Sequence, residues 1–361
     1  QQYLEEIQTA AQLDPIISDC NQTFHQLASD LSFRKSLSLL IPPHQEIEEF
    51  FTRLRKELVL RIRDGVAIPD HLQPLLEALA TQCFLNEYVY WQSDEEQQWI
   101  KNLIIEASKS QARFNQVLAI IGCYTSINTI KAPAEKLNNY PISSAEGKAF
   151  IDTQHKEVEQ DKSAKTRLKK SQQITDKVSL KVQQMYEENP YPRYHYADYT
   201  PSHLAKPACE FISLETTIKN LLFTSELLSN NSSPKVLIAG CGTGNQLVNA
   251  SRYKNAQITA IDISTSSLAY AGRKAREYQM KNIQLQQLDI LDVNHLQDVY
   301  DVIECSGVLH HMQDPAKGLA ALNRKLKPGG YIKIGLYSKL ARQIVSSARE
   351  LIQERGIQST P

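Results

Sequence analysis

The apolar run Val236-Leu237-Ile238-Ala239 breaks directly into Gly240-Cys241-Gly242-Thr243-Gly244, and a helical pattern opens behind it. Few folds accommodate a strand that ends on alternating glycines and turns at once into a helix. The glycines let the backbone turn tightly and approach a ligand without Cβ interference. The amides at the helix start favour an anionic group. The segment therefore predicts one strand of an open parallel sheet whose ligand lies beyond the carboxyl ends of the strands.

The sequence around it agrees. After about residue 205, short β-like runs alternate with helical patterns, which predicts an α/β, doubly wound parallel sheet with helices on both faces. The expected strands are Lys235–Ala239, Gln257–Ile263, Ile283–Leu288, Tyr300–Cys305 and Tyr331–Leu336. Asp314-Pro315 reads as an N-cap followed by proline at the first helical position. Lys327-Pro328-Gly329-Gly330 reads as a stop and turn before the last strand. Ser338 is expected to cap a final helix carrying Leu340, Ile344, Val345, Leu351 and Ile352.

Each strand end supplies a candidate ligand group. The second strand ends in Asp262, whose carboxylate could accept hydrogen bonds from both ribose hydroxyls of an adenosine ligand. The third ends in Leu288-Asp289-Ile290, a polar group between apolar ones that could face an adenine ring. The fourth runs through Ser306 to His310 and His311. For Asp262 and Asp289 a helix cap or turn carboxylate is the alternative, and for the glycines a plain tight turn. Dinucleotide sites use Gly-x-Gly-x-x-Gly. Here the last of those positions is Asn245, which disfavours a nicotinamide oxidoreductase.

Residues 1–140 have a different texture. Ile47, Phe50, Phe51, Leu54, Leu58 and Ile62 recur at helical spacing before Gly65. A second helix is expected from Pro69-Asp70 through Leu72, Leu75, Leu76, Leu79 and Cys83. A third apolar series runs from Asp94 to about Tyr124. No internal repeat is evident. Residues 141–165 are polar and weakly patterned and read as a linker or surface loop, followed by a helix from about Thr166 to Glu188. The basic start of that helix, TRLKK, reads as a solvated face rather than a nucleic-acid patch.

Charge and cysteine usage narrow the classes further. Lys+Arg and Asp+Glu number 40 each, so the basic excess of a nucleic-acid binder is missing. The 6 cysteines are scattered with no Cys-x-x-Cys pair, which fits reduced thiols in a cytoplasmic protein rather than a disulfide framework, zinc ribbon or metal site. No apolar stretch reaches membrane-spanning length.

Residues 234–337 resemble a class I S-adenosylmethionine-dependent methyltransferase. The resemblance rests on five ordered elements: GCGTG, AIDIS, QLDIL, YDVIECSGVLHHM and LKPGGYI. The segment MYEENPYPRY at 185–194 is similar to a narrower bacterial group in which a helical region, often with tetratricopeptide repeats, precedes such a domain. The resemblance implies a Rossmann-like core and S-adenosyl-L-methionine as cofactor. It implies that Gly240, Cys241, Gly242 and Gly244 line the methionine and ribose part. It further implies that Asp262 holds the ribose with Ile263 at the adenine, that Asp289 meets the adenine amino group beside Ile290, and that Ser306 lies near the transferable methyl.

No general base stands out. His310 could deprotonate an acceptor, since its pKa lies near neutrality, with a packed or surface histidine as the alternative. Adjacent strand residues point to opposite faces, so His310 and His311 are not expected to share one site. In the connector, Pro190 forces an extended stretch. Either its aromatics merely pack, or Tyr186, Tyr191 or Arg193 forms a lid over cofactor or substrate.

The organisation expected is an α-helical domain over 1–140, a linker, helix and connector over 141–200, and the sheet domain over 201–361, with further edge strands beyond Pro361. The activity expected is methyl transfer to an N, O or C nucleophile, the acceptor leaning to a protein recruited by the helical region. A quinone- or metabolite-type acceptor, or a non-catalytic scaffold, is the alternative. The helical region is also the expected site of any homodimer, and neither nucleic acid nor membrane is an expected partner.

Overall fold

A computed structural model describes residues 2–13, 15–41, 44–130, 134–168, 174–218 and 224–357. The chain divides into two compact units, one comprising Gln1–Ser163 with Pro192–Tyr196, the other Ala164–Tyr191 with Ala197–Pro361. Among the described residues no helix is long and apolar enough to cross a membrane.

The first unit is helical. Helix Gln45–Arg63 buries Phe50, Phe51, Leu54, Leu58, Val59 and Ile62, the stripe expected from its spacing. A 3-10 turn at Asp70–Leu72 leads into helix Gln73–Leu85, which is buried from Leu75 onward. The third apolar series divides at Ser110 into helices Asp94–Lys109 and Gln111–Gly122. Ser110 caps the second by accepting from Arg113 N at 3.1 Å.

Residues 141–165 are not a linker. They form helix Ala145–Ile151, a π turn at Asp152–Lys156 and helix Glu157–Lys165, and Phe150 and Ile151 belong to the helical core. Phe150 lies so close to Gly122 that a Cβ there would fall 2.6 Å from its ring. Gln154, aimed inward by the π turn, donates to Ala80 O at 2.7 Å and Gly122 O at 3.0 Å. Two apolar side chains and one buried amide thus tie a polar-looking stretch to the core. The single helix expected over Thr166–Glu188 is also shorter. It spans Lys177–Glu188 behind the Asp176 cap, and 169–173 lie outside the described residues.

The second unit is built on five parallel strands: β1 Lys235–Ala239, β2 Gln257–Asp262, β3 Ile283–Gln287, β4 Tyr300–Ser306 and β5 Leu326–Gly335. Their order is β3-β2-β1-β4-β5. The chain winds outward from β1 and then crosses back to β4, so the topological switch lies between β1 and β4. Register runs Ala239↔Ile261 and Ile238↔Glu304, which aligns the carboxyl ends at one edge. The KPGG segment is not a separate turn but an irregularity within β5, where register jumps from Tyr300↔Leu326 to Val302↔Tyr331. The final helix is Gln343–Glu354. Ser338 caps only the turn before it, accepting from Ala341 N at 3.3 Å.

The packing of Phe150 generates a prediction. Phe150→Ala should destabilise the helical unit by about 3–5 kcal/mol, the usual cost of emptying a buried aromatic site. Denaturant unfolding checks this, and a loss near zero would restore the loop reading of 141–165.

Candidate active site

The glycine loop is shaped by its own backbone. Gly240 and Cys241 both donate to Ile261 O, at 2.9 and 3.0 Å, so the loop folds back over β2. Gly240, Gly242 and Gly244 have φ of +72°, +52° and +94°, values that side chains other than glycine rarely adopt. At Gly240 a Cβ would also meet Val308 at 2.5 Å, whereas at Gly242 the nearest atom is Tyr191 O at 3.9 Å. Gly240 is therefore fixed by packing, and Gly242 faces open space that a ligand can enter.

Asp262 closes this loop. Its Oδ2 accepts from Gly242 N at 2.8 Å and its Oδ1 from Ser264 N at 2.9 Å. Each oxygen retains a further lone pair for a hydroxyl donor. Burial pushes its pKa above the ordinary carboxylate value, opposed by those two backbone donors. Ile263 follows, and its carbonyl accepts from Gln183 Nε2 at 3.0 Å and Gln287 Nε2 at 2.9 Å. Cys241 is buried, and burial beside Asp262 holds its thiol far from ionisation.

Asp289 does act as a cap. It accepts from Leu291 N at 2.9 Å at the start of the 3-10 turn Ile290–His295. Ile290 packs in the core beneath the β1–β4 edge. Ser306 ends β4, and its carbonyl accepts from Gln246 Nε2 at 3.0 Å. Gln246 Oε1 is buried with no hydrogen-bond partner among the described residues. An unmatched acceptor in that position suits an ammonium donor.

His310 and His311 are not on a strand. They sit in a 3-10 turn, Leu309–His311, with ring centroids 4.2 Å apart. The separation of adjacent histidines expected from strand geometry is thus corrected. The His310 ring also lies 4.0 Å from that of Tyr337. Both His310 nitrogens are buried without a partner among the described residues. Burial first, then the neighbouring His311 and Arg342, holds His310 below the usual imidazole value, which favours the neutral base.

The connector candidates separate. Tyr191 turns its carbonyl toward Gly242 while its side chain is half exposed. Arg193 belongs to the helical unit. Its guanidinium pairs with Glu87 at 2.9 Å, donates to Phe84 O at 3.2 Å and stacks 4.0 Å above the Phe84 ring. These contacts anchor Arg193 within the helical unit.

Sequence reasoning missed Glu187. Its carboxylate accepts from Thr265 N (2.8 Å), Thr265 Oγ1 (2.7 Å), Ser266 N (3.0 Å), Ser266 Oγ (2.5 Å) and Lys165 Nζ (2.8 Å). It thereby caps the helix Thr265–Glu277, which has no acidic residue in its own first turn. That missing acid was the available signal. Burial opposes ionisation of Glu187, but donors from Lys165, Ser266 and Thr265 outweigh it and hold the pKa at about 2.

Residues 230–357 match the family model described as a methyltransferase domain. An uncharacterised protein of Synechococcus sp. is 42% identical over 121 residues, covering 33% of this chain and 29% of that protein. A ubiquinone biosynthesis O-methyltransferase of Albidiferax ferrireducens is 31% identical over 112 residues, covering 31% of this chain and 44% of that protein. The chain thus spans less than half the length of either curated relative. Among solved structures, PKMT2 from Rickettsia typhi is 26% identical with a TM-score of 0.36, covering 45% of this chain and 31% of that one. Residues 230–357 are thus a methyltransferase domain, helices precede them in the chain, and the cofactor of such a domain is S-adenosylmethionine. The cleft fits that group, with space at Gly242, paired acceptors at Asp262 and the unmatched Gln246 oxygen.

A pH dependence follows from Glu187. Its pKa is depressed in the folded chain, so its contribution is present above the unfolded carboxylate value and is lost as pH falls toward about 2. Glu187→Gln should cost on the order of 1–3 kcal/mol near pH 7, with the deficit shrinking toward zero near pH 2. Denaturant unfolding across that range checks it, and a pH-independent deficit would contradict the assignment.

Proposed function

We propose that this chain transfers a methyl group from S-adenosylmethionine to a nitrogen, oxygen or carbon nucleophile. The observation that carries the reading is the glycine loop stitched to Asp262 at the β1–β2 edge. When bound, the cofactor supplies a methyl already activated by its sulfonium. The protein's task is then alignment and exclusion of water rather than activation. Gly240, Cys241, Gly242 and Gly244 line the methionine and ribose part. Asp262 accepts from the ribose hydroxyls, Ile263 and Ile290 flank the adenine, and Asp289 faces its amino group. Gln246 Oε1 accepts from the amino-acid end, and Ser306 lies near the reacting carbon.

His310 is the residue suited to take a proton where the acceptor must lose one. Its buried nitrogens lack other partners, and its depressed pKa keeps it neutral at physiological pH. Tyr191 supplies a wall over Gly242 through its carbonyl rather than a proton.

The acceptor we favour is a protein recruited by the helical unit, which has its own hydrophobic core. That unit is also where we place any dimer contact. A small-molecule acceptor is the second reading. It is favoured by the ring cluster of His310, His311 and Tyr337 and by the ubiquinone-pathway relative.

Incubation with methyl-labelled S-adenosylmethionine and fractionated cell extract tests this. Label in protein fractions is expected, while label confined to small molecules would select the second reading. Asp262→Ala should weaken cofactor binding by about 1–3 kcal/mol, because hydroxyl donors lose their acceptor. No label in any fraction, despite bound cofactor, would favour a scaffold.

A further inference from the structure

The helix Lys177–Glu188 is tied to the turn after β2 at three successive points. Gln183 Nε2 donates to Ile263 O at 3.0 Å. Ser264 Oγ donates to Tyr186 O at 3.0 Å. Glu187 receives the Thr265 and Ser266 amides and hydroxyls together with Lys165. All three grip the same short turn, which begins at Asp262 and carries Ile263. Beyond the grip, burial first, then the negative charge of nearby Asp262, raises the Tyr186 phenol pKa, and the Tyr191 carbonyl stands over Gly242.

We propose that Glu187 is a positioning residue for cofactor binding: its carboxylate latches residues 183–191 onto the helix after β2 and so holds Tyr186 and Tyr191 as the wall of the cleft opposite the glycine loop. This rests on the methyltransferase reading above. Glu187 itself touches no ligand. Its effect runs through the strap, and strap residues that close over a bound group govern how fast that group leaves. A helix cap alone would give stability without affecting ligand escape. The latch predicts both, because the element it caps and the element that carries it flank one cleft.

S-Adenosylhomocysteine is the probe, and stopped-flow dissociation with hydrogen–deuterium exchange on the full chain is the measurement. Glu187→Ala should speed dissociation about tenfold or more, since changes at a contact surface act mainly on the off-rate. Exchange at 183–191 should rise while β1 keeps its protection. Glu187→Gln, which retains one acceptor oxygen, should fall between. Asp314→Ala, which removes a different helix cap in the same unit, should lower stability without changing dissociation. Parent-like dissociation in Glu187→Ala, or equal acceleration in Asp314→Ala, overturns the latch alone. A parent chain that does not bind the probe overturns the methyltransferase reading, and the latch with it.

Discussion

One carboxylate organises the carboxyl-terminal edge of the sheet. Asp262 accepts from the Gly242 amide on one side and the Ser264 amide on the other. It thereby joins the loop after β1 to the turn after β2. Gly240 and Gly242, both at positive φ, carry the loop to it. Ser264 in turn caps the following helix through Ser267 N. Without that bridge the loop would keep its two hydrogen bonds to Ile261 O but lose the one that holds the Gly242 amide. The remaining lone pairs of the same carboxylate are what a ribose would use, so the group that shapes the cleft is also the group that would read the ligand.

Around this centre the charges are arranged by burial. Asp262 is pushed up and Glu187 held down, although the two are close enough for Glu187 to raise Asp262. The difference is the donors. Glu187 gathers an ammonium, two hydroxyls and two amides, whereas Asp262 has backbone amides in a more buried place. A carboxylate saturated with donors serves as an anchor. One with spare acceptor capacity at the mouth of the cleft serves as a binding group.

The sheet was legible because each of β1 to β4 is a short β-like run closely followed by glycine or closed by an acidic turn, and its ends fell within a residue or two of expectation. The start of β5 was not, because Pro328-Gly329-Gly330 forms an irregularity inside a strand instead of a turn before one. Phe150 and Ile151 were lost in a polar stretch, since two apolar residues set no period and the π turn that follows breaks it. Asp262 and Ser306 were legible as the last residues of their strands. Glu187 was not, because Thr265 and Ser266 lie 78 and 79 residues away, and a first turn without an acid does not say which residue supplies the cap. The pairing of His310 with His311 was misread for a simpler reason: the strand ends at Ser306, and a 3-10 turn places neighbouring rings together.

The central claim is that the loop joined to Asp262 is an adenosyl site of the methyltransferase kind and not a dinucleotide site. Isothermal calorimetry of the chain against S-adenosylhomocysteine and, separately, NAD addresses it most directly. The account predicts saturable binding of S-adenosylhomocysteine and no heat from NAD. Tight NAD binding with no heat from S-adenosylhomocysteine would contradict it.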